Sequence, residues 1–312
     1  ILASTLLSDK PIVLKNVPFV QDIYTMINLL KYIGLNVKIN KKSNILKISN
    51  NKKLKTVAPY NLLKTMRAGV LVLGPLLAKY KKAKVSLPGG CAIGVRPVNL
   101  HLFALEKLGA KIKIKNGYIH ASAKHGLKGA VIKFPSISVG ATENAILAAL
   151  SASGKTIISN CAIEPEIQDM IIFLKKMGCG INFISKRKIQ IIGVKKFKHV
   201  SHEIIFDRIE LGTYLIGAAI AGKKVIFSKV KPKILKTEIK ILKKMGVKMK
   251  IEKDKITVFE SGKLRSINIK TEPYPGFPTD LQAQIMVLML KASGKSRITE
   301  NIFENRFMHI PE

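Results

Sequence analysis

A cysteine follows two glycines in the stretch SLPGGCAIGVRPVNLH, which spans residues 86–101. Cys91 comes directly after Gly89 and Gly90, and Arg96 follows five residues later. Glycines allow backbone conformations that other residues avoid and let the chain approach a ligand closely. A nearby guanidinium can stabilise a thiolate and can bind an anion through its planar fork. These residues predict an exposed loop with a functional thiol, and an inert, packed cysteine is the alternative.

The length and composition indicate a folded protein of two domains. The chain has 312 residues, of which 47% are hydrophobic, so it can bury large cores. Its apolar runs are far shorter than the roughly 20 residues that a membrane-spanning helix needs, and no leader with a cleavage site is apparent. Three cysteines without pair spacing favour a reducing compartment. We therefore predict a cytoplasmic protein with no membrane partner, and we expect a monomer.

The net charge of +35 raises the question of nucleic-acid binding. Only seven of the 54 basic residues are arginine, and the lysines are spread through every segment instead of forming one stripe. Aromatic residues make up 6% of the chain and tryptophan is absent, so a platform for stacking bases is poorly supplied. We predict a solvated lysine-rich surface with no specific nucleic-acid partner. A non-enzymatic, basic, nucleic-acid-binding repeat protein stays as an alternative.

The chain repeats a pattern of about seventy residues. Segments such as ALEKLGAKIKI and FLKKMGCGINF recur with glycines spaced by 75, 69 and 68 residues, at Gly34, Gly109, Gly178 and Gly246. Each glycine is predicted to follow an amphipathic helix and to adopt a left-handed backbone conformation. The alternating residues that come next predict a hairpin, with Asn-Gly or Lys-Asp at the turn.

A second landmark lies in the same repeat. In SASGKTIIS, AIAGKKVIF and KASGKSRIT, a helix of small residues is followed by Gly-Lys and then a strand. One repeat is therefore predicted to contain a helix, a strand, a second helix and a strand pair. This alternation predicts the α/β class with layers that share cores.

Several long motifs, in order along the whole chain, resemble the UDP-N-acetylglucosamine 1-carboxyvinyltransferases, a family of enolpyruvyl transferases. They are APYNLLKTMRAGVLVLGPLLA, SLPGGCAIGVRPVNLH, SVGATENAILAA, EPEIQDM, DRIELGT, FPTDLQAQ and ENRFMH. The resemblance implies two inside-out α/β barrels, each built from three repeats, with the active site between them. We expect the first domain over residues 1–204, carrying the cysteine loop, and a partial second domain over residues 205–312.

The resemblance also implies the reaction. The 3'-hydroxyl of UDP-N-acetylglucosamine would attack C2 of phosphoenolpyruvate, and phosphate would leave from a tetrahedral intermediate, in the first committed step of peptidoglycan synthesis. No metal ion or organic cofactor is expected. The sister enzyme, 3-phosphoshikimate 1-carboxyvinyltransferase, shares the repeats and the donor, but it is not expected to carry the Pro-Gly-Gly-Cys loop.

By the same resemblance, Cys91 is the acid that protonates C3 of phosphoenolpyruvate. Asp280 matches the carboxylate that acts as general base on the sugar hydroxyl, although Thr279-Asp280 is also typical of a helix start. The substrate-binding positions that the resemblance implies are Arg67, Arg96, Pro97, Val98, Asn99, Leu100, Ser136, Ile137, Ser138, Val139, Gly140, Asp280, Ile302 and Arg306.

Three other features have structural alternatives. Arg208 matches the family, and an ion pair with Glu210 is its structural alternative. His101 is expected to be a packed histidine rather than a proton carrier. Glu164 and Glu166, on either side of Pro165, are typical of a helix start.

Some positions depart from the family pattern. Asn99 stands where an aspartate is common, Ser136 where a lysine is common, and Leu71 where an aromatic residue is common. A Lys-Asn pair of the family would precede Ile1, and its C-terminal arginines would follow Glu312. We therefore expect the sequence to be truncated at both ends and this fragment to be inactive.

Overall fold

The computed structural model of the chain describes residues 1–50, 53–89 and 98–311. These residues form two compact units, of which the first ends at Ile205 and the second begins at Phe206. Three residues of the predicted site, Cys91, Arg96 and Pro97, lie outside the described residues.

The first unit alternates helices and strands. Its 3-10 helices span Leu2–Leu7 and Arg67–Val72. Its α-helices are α1 (Gln21–Ile33), α2 (Tyr60–Leu63), α3 (Leu73–Tyr80), α4 (Asn99–Lys107), α5 (Val139–Ala149) and α6 (Pro165–Lys176). Its strands are β1 (Ile12–Lys15), β2 (Asn36–Asn40), β3 (Ile45–Ser49), β4 (Val57–Ala58), β5 (Lys82–Ser86), β6 (Lys111–Lys115), β7 (Tyr118–Ser122), β8 (Val131–Lys133), β9 (Lys155–Ser159), β10 (Gly180–Ser185), β11 (Lys188–Ile192) and β12 (Val200–Glu203).

The second unit continues the same alternation. Its 3-10 helices span Pro232–Leu235 and Thr279–Leu281. Its α-helices are α7 (Arg208–Ala221), α8 (Lys236–Lys244) and α9 (Gln282–Leu290). Its strands are β13 (Lys224–Ser228), β14 (Met249–Ile251), β15 (Lys255–Phe259), β16 (Leu264–Arg265), β17 (Asn268–Lys270), β18 (Ala292–Ser293) and β19 (Arg297–Thr299).

The predicted order of elements in one repeat is confirmed. A helix, a strand, a helix and a strand pair follow one another as α5, β9, α6, β10 and β11, and again as α7, β13, α8, β14 and β15. The four landmark glycines have φ between +92° and +126°, so they adopt the left-handed conformation expected after a helix. The Asn116-Gly117 turn between β6 and β7 also has positive φ at both residues, as a tight hairpin requires.

Three four-stranded sheets of the first unit share one topology. Their strand orders are β12-β1-β3-β2, β4-β5-β7-β6 and β8-β9-β11-β10. Strands β1, β5 and β9 each follow the small-residue helix of a repeat, and they pair in parallel with β12, β4 and β8, respectively. The remaining pairs in these sheets are antiparallel. The parallel partner of β1 is β12, with Ile12 opposite Val200, so the end of this unit returns to its beginning. The described strands form separate sheets, and none of these orders closes into a barrel.

The cores consist of helices and the inner faces of the sheets. Helix α5 buries nearly every residue from Ala141 to Ala149, because it packs against α3 and α4 on different sides. The strands alternate buried and exposed residues, as in the pattern of β7, which fits sheets with one solvated face. In the second unit, α7 and α9 pack together in a core that includes Leu215, Leu281 and Leu288.

Candidate active site

Asn144 of α5 connects three segments of the first unit. Its Oδ1 accepts a hydrogen bond from the Gly74 amide at 2.8 Å, and its Nδ2 donates to the Val70 carbonyl at 3.3 Å. The same Nδ2 lies 3.2 Å from Nδ1 of His101. Since an amide N–H can only donate and a carbonyl can only accept, these partners fix the orientation of the Asn144 side chain. Nδ1 of His101 therefore accepts, and a neutral ring carries its proton on Nε2.

This contact brings predicted site residues together. Val70 lies in the 3-10 helix that begins at Arg67, and His101 lies in the first turn of α4, directly after Asn99 and Leu100. The ring of His101 also lies against Gly140, where an added Cβ would be 3.1 Å from its Cε1. The segments of Arg67, Asn99–Leu100 and Ser138–Gly140 thus meet around one buried histidine.

His101 is buried, as the sequence predicted. Burial, and to a smaller extent the positive charge of Arg67, lower the pKa of this histidine to about 4. The imidazole is therefore neutral near pH 7, which agrees with its role as a hydrogen-bond acceptor toward Asn144. Its place is that of a packing residue between α4 and α5.

The start of α5 has the features of an anion-binding helix terminus. Ser138 is the N-cap residue, and its hydroxyl accepts a hydrogen bond from the Ala141 amide at 3.3 Å. Ser136 is exposed, while Ile137, Val139 and Gly140 are half-buried. The first amides of a helix and its dipole favour a negatively charged ligand at this end. At the start of α4, Val98 is buried, Asn99 is exposed and Leu100 is half-buried.

The second unit brings Asp280 and Arg306 into direct contact. Nη2 of Arg306 donates to Oδ1 of Asp280 at 2.8 Å, and its Nε donates to the Thr279 carbonyl at 3.2 Å. Among the described residues, no side chain caps the 3-10 turn that holds Asp280 or the start of α9. Thr279 and Asp280 do lie at a helix start, as the alternative predicted, with Asp280 in the first turn, and the Asp280 side chain pairs with Arg306.

Ile302 belongs to the same group of residues through Glu300. Oε1 of Glu300 accepts from the backbone amides of Ile302 at 2.7 Å and Phe303 at 3.1 Å, and Oε2 accepts from the Thr279 hydroxyl at 2.7 Å. Glu300 was not among the predicted site residues, and Thr279 was named only as part of a helix start. A signal was present, because a carboxylate that precedes amides by two and three residues has the spacing of a helix-cap interaction.

Arg208 has structural partners in the second unit. It is buried, and its Nη1 lies 4.0 Å from Oε1 of Glu238, which is also buried. Its guanidinium lies over the ring of Tyr274 at 5.6 Å from the centroid. The predicted ion pair was with Glu210, whereas the structure places Glu238 opposite the guanidinium.

The carboxylates around Pro165 mark a helix start, as predicted. Helix α6 begins at Pro165, with Glu164 as its N-cap residue and Glu166 in its first turn. Burial and, to a smaller extent, the negative charges of Glu166 and Glu164 raise the pKa of the nearby Glu143 to about 7. The sequence analysis did not single out Glu143.

Metal binding and membrane insertion have no support in the part of the chain that the structure describes. No group of three or more His, Cys, Asp or Glu side chains in this part of the chain is arranged to hold a metal ion. None of the described helices has the length and apolar character needed to cross a membrane.

Comparison with known proteins places the chain among enolpyruvyl transferases. The family model described as EPSP synthase (3-phosphoshikimate 1-carboxyvinyltransferase) matches residues 1–312. The UDP-N-acetylglucosamine 1-carboxyvinyltransferase of Pelagibacter ubique (strain HTCC1062) is 59% identical over the whole chain, which covers 74% of that relative. The protein of the same name from Endomicrobium trichonymphae is 51% identical with the same coverage.

Solved structures share the fold. The enolpyruvyl transferase NikO from Streptomyces tendae superposes with a TM-score of 0.86 at 19% identity, over 99% of this chain and 74% of that one. EPSP synthase from Acinetobacter baumannii superposes with a TM-score of 0.69 at 18% identity, over 95% of this chain and 70% of that one. At such low identities, these likenesses concern the fold alone, and they confirm the predicted fold class.

Proposed function

Because this chain belongs to the EPSP synthase family, and within it to the UDP-N-acetylglucosamine 1-carboxyvinyltransferases, we propose that it transfers enolpyruvyl from phosphoenolpyruvate to the 3'-hydroxyl of UDP-N-acetylglucosamine. Relatives of that name are 45–59% identical to it over its whole length. The EPSP synthase model supports the alternative acceptor, shikimate 3-phosphate, only at the level of the wider family.

The contact between Asp280 and Arg306 is the observation that carries the chemical assignment. Asp280 is exposed on 55% of its side chain, and one of its oxygens is held by the guanidinium at 2.8 Å. A carboxylate that is oriented by an arginine and open to solvent can accept a proton from a bound hydroxyl group. The assignment of Asp280 as general base therefore depends on an arrangement in which its side chain has no capping role.

The reaction proceeds by addition and elimination. In the addition, the sugar oxygen bonds to C2 of phosphoenolpyruvate, Asp280 takes the hydroxyl proton, and the Cys91 thiol gives a proton to C3. In the elimination, C3 returns a proton to the Cys91 thiolate and the double bond between C2 and C3 forms again. The bond from C2 to the phosphate oxygen breaks, and the departing phosphate takes up the proton held by Asp280. The products are inorganic phosphate and the enolpyruvyl ether of the sugar nucleotide.

The first unit supplies the nucleotide-binding residues. The helix terminus at Ser138–Gly140 would bind a phosphate group of the sugar nucleotide through its free amides. Arg67, Arg96 and the segment from Pro97 to Leu100 would complete this group. In the second unit, Ile302 and Arg306 are the proposed substrate-binding residues. Asn144 and His101 would hold these segments in place without touching the substrate.

Further parts of the proposal concern the cellular role. We place the reaction at the first committed step of peptidoglycan synthesis, in the cytoplasm, and we propose that the enzyme is a monomer without a nucleic-acid partner. We also propose that the two compact units correspond to the two barrel domains expected from the sequence.

The experiment that tests the function uses this chain alone and a chimera. In the chimera, the chain replaces the matching 312 residues of the Pelagibacter ubique relative, of which it covers 74%. Phosphate release from phosphoenolpyruvate is measured with UDP-N-acetylglucosamine, with shikimate 3-phosphate, and with neither. We expect release by the chimera that depends on the sugar nucleotide, is lost in Cys91→Ala, and is retained in Cys91→Asp, whose carboxyl group can still donate a proton.

Three other outcomes would overturn the proposal. Release that depends on shikimate 3-phosphate would favour the sister activity. A folded chimera that releases no phosphate with either acceptor would remove the enzymatic assignment for this chain. Sequence-selective DNA or RNA binding with steep salt dependence, in the absence of turnover, would favour the basic repeat protein.

A further inference from the structure

Glu300 joins the two segments of the second unit that carry predicted site residues. It comes directly after β19, and its two carboxylate oxygens have separate partners. Oε1 accepts from the amides of Ile302 at 2.7 Å and Phe303 at 3.1 Å, while Oε2 accepts from the Thr279 hydroxyl at 2.7 Å. Hydrogen bonds to an ionised carboxylate are short and about twice as strong as neutral ones, so this bridge is stiff.

The bridge closes a ring of contacts around Asp280. Thr279, which is buried, precedes Asp280 in the chain, and its carbonyl accepts from Nε of Arg306 at 3.2 Å. The same guanidinium pairs with Asp280 at 2.8 Å. Thr279, Glu300, Arg306 and Asp280 therefore fix one another, and the Ile302 amide is bound to the same carboxylate.

A second contact anchors the same segment on its other side. The Asn301 amide donates to the buried Thr271 hydroxyl oxygen at 3.1 Å, and the Thr271 amide donates to the Thr299 carbonyl at 2.9 Å. The chain around Glu300 is thereby tied to the end of β17, next to β19. Its carboxylate is consequently presented from a rigid strand end instead of a free loop.

We propose that Glu300 is a positioning residue of the transferase, which sets the backbone at Ile302 and the orientation of Asp280 through Thr279. This inference rests on the proposed function. Glu300 acts through other residues: Ile302 is the expected apolar contact beside the sugar, and Asp280 is the expected base. Loss of the bridge should therefore affect the sugar nucleotide and the chemical step, and it should leave the affinity for phosphoenolpyruvate largely unchanged.

The test compares variants of the chimera described above. Glu300→Ala should raise KM for UDP-N-acetylglucosamine and lower kcat, with a combined loss in kcat/KM of about tenfold to a hundredfold, while KM for phosphoenolpyruvate stays nearly constant. Thr279→Val should show a smaller loss in the same parameters. Thr279→Val added to Glu300→Ala should cause little further loss, because the two residues share one hydrogen bond. Glu260→Gln, which changes an exposed glutamate of the same unit, is the matched control.

The conservative variant Thr279→Ser separates positioning from general stability. It keeps the hydroxyl that Glu300 accepts from, so it should restore the kinetics of the unmodified chimera even if Thr279→Val or Glu300→Ala lowers Tm or fails to fold. Losses that add up in the double variant would overturn the inference, as would Thr279→Ser kinetics that match those of Thr279→Val. Failure of the unmodified chimera to turn over would instead concern the proposed function, so the two failures are distinguishable.

Discussion

Nη2 of Arg306 lies 2.8 Å from Oδ1 of Asp280, although the two residues are 26 positions apart in the chain. The Asp280 side chain is 55% exposed, whereas that of Arg306 is only 18% exposed. Ion pairs that are open to solvent contribute little to stability. The main effect of this contact is therefore to orient the Asp280 carboxylate. A half-buried guanidinium that also binds the Thr279 carbonyl is a fixed support for an exposed proton acceptor.

Asp280→Asn tests the role of the carboxylate as a base. The amide has nearly the same shape but cannot take up the hydroxyl proton, so kcat of the chimera should fall by about 10²- to 10⁴-fold. Binding of UDP-N-acetylglucosamine, measured by calorimetry, should change much less. A variant that loses affinity and keeps kcat would assign Asp280 to binding alone.

Arg306→Lys tests whether the planar guanidinium is needed. A lysine has one nitrogen and cannot bind Asp280 and the Thr279 carbonyl in the same fork geometry. We expect Arg306→Lys to recover only part of the activity that Arg306→Gln loses, with unfolding free energies within about 1 kcal/mol of each other. Equal activity of the lysine variant and the unmodified chimera would show that charge alone is sufficient.

The elements of the repeat could be predicted from the sequence because they depend on the conformational preferences of neighbouring residues. The landmark glycines needed positive φ, and the alternating residues after them needed a hairpin, so both elements could be placed from residue types alone. The partners of Asp280 were not readable in this way. Thr279 lies 21 residues from Glu300, and no periodicity predicts that a hydroxyl and a carboxylate at this separation will meet.

Long-range pairing explains the other differences too. The pairing of β12 with β1 joins residues 188 positions apart, since Ile12 lies opposite Val200. The residues of either strand alone do not predict this pairing. The sequence offered Glu210, a neighbour in the chain, as an ion-pair partner of Arg208, whereas the buried acid opposite its guanidinium is Glu238 on α8. A helix places residues two positions apart on different faces, so a tertiary partner was favoured by geometry.

Arg208 should be important for stability. Burial raises the pKa of Glu238, and its own backbone hydrogen bond and Arg208 oppose that rise. Removing one member of a buried ion pair leaves the other charge uncompensated, so Arg208→Met should lower the unfolding free energy by about 3–5 kcal/mol. Glu238→Gln in the same chain should recover part of this loss in urea titrations. If Arg208→Met keeps its stability and loses turnover, the arginine serves the reaction instead.

Two glycine substitutions should have opposite effects on stability. A Cβ on Gly74 would collide with the side chain and the backbone carbonyl of Asn144, the residue that connects the first-unit segments. Gly217 lies exposed within α7 with no atom near its Cβ position. We expect Gly74→Ala to lose about 2 kcal/mol or more through overpacking, whereas Gly217→Ala should gain about 0.5–1 kcal/mol in helix propensity. Urea denaturation of both variants checks the contrast, and a stable Gly74→Ala protein would contradict the rigid contact at Asn144.

The buried imidazole of His101 should make the protein less stable in mild acid. Its pKa is lowered from 6.5 to about 4 by burial and by Arg67. Between these two pH values, the unfolded chain therefore binds a proton at His101 that the folded chain does not bind. The contribution of His101 is therefore fully present above pH 6.5 and is lost as the pH falls toward 4, by about 3 kcal/mol in all. His101→Gln has no such proton to bind. Its unfolding free energy, compared with that of the unmodified chain, should improve by about that amount between pH 7 and pH 4.

The matched control for this experiment is His120→Gln, because His120 is exposed on β7. Its stability relative to the unmodified chain should stay nearly constant over the same pH range, because the exposed side chain has nearly the same surroundings in the folded and unfolded protein. Urea titrations at pH 7, 5.5 and 4 provide the three free energies for each protein. Parallel pH profiles for His101→Gln and the unmodified chain would mean that His101 is protonated in the folded protein. The hydrogen bond from Asn144 to its Nδ1 would then have to be reassigned, because an imidazolium ring has no acceptor nitrogen.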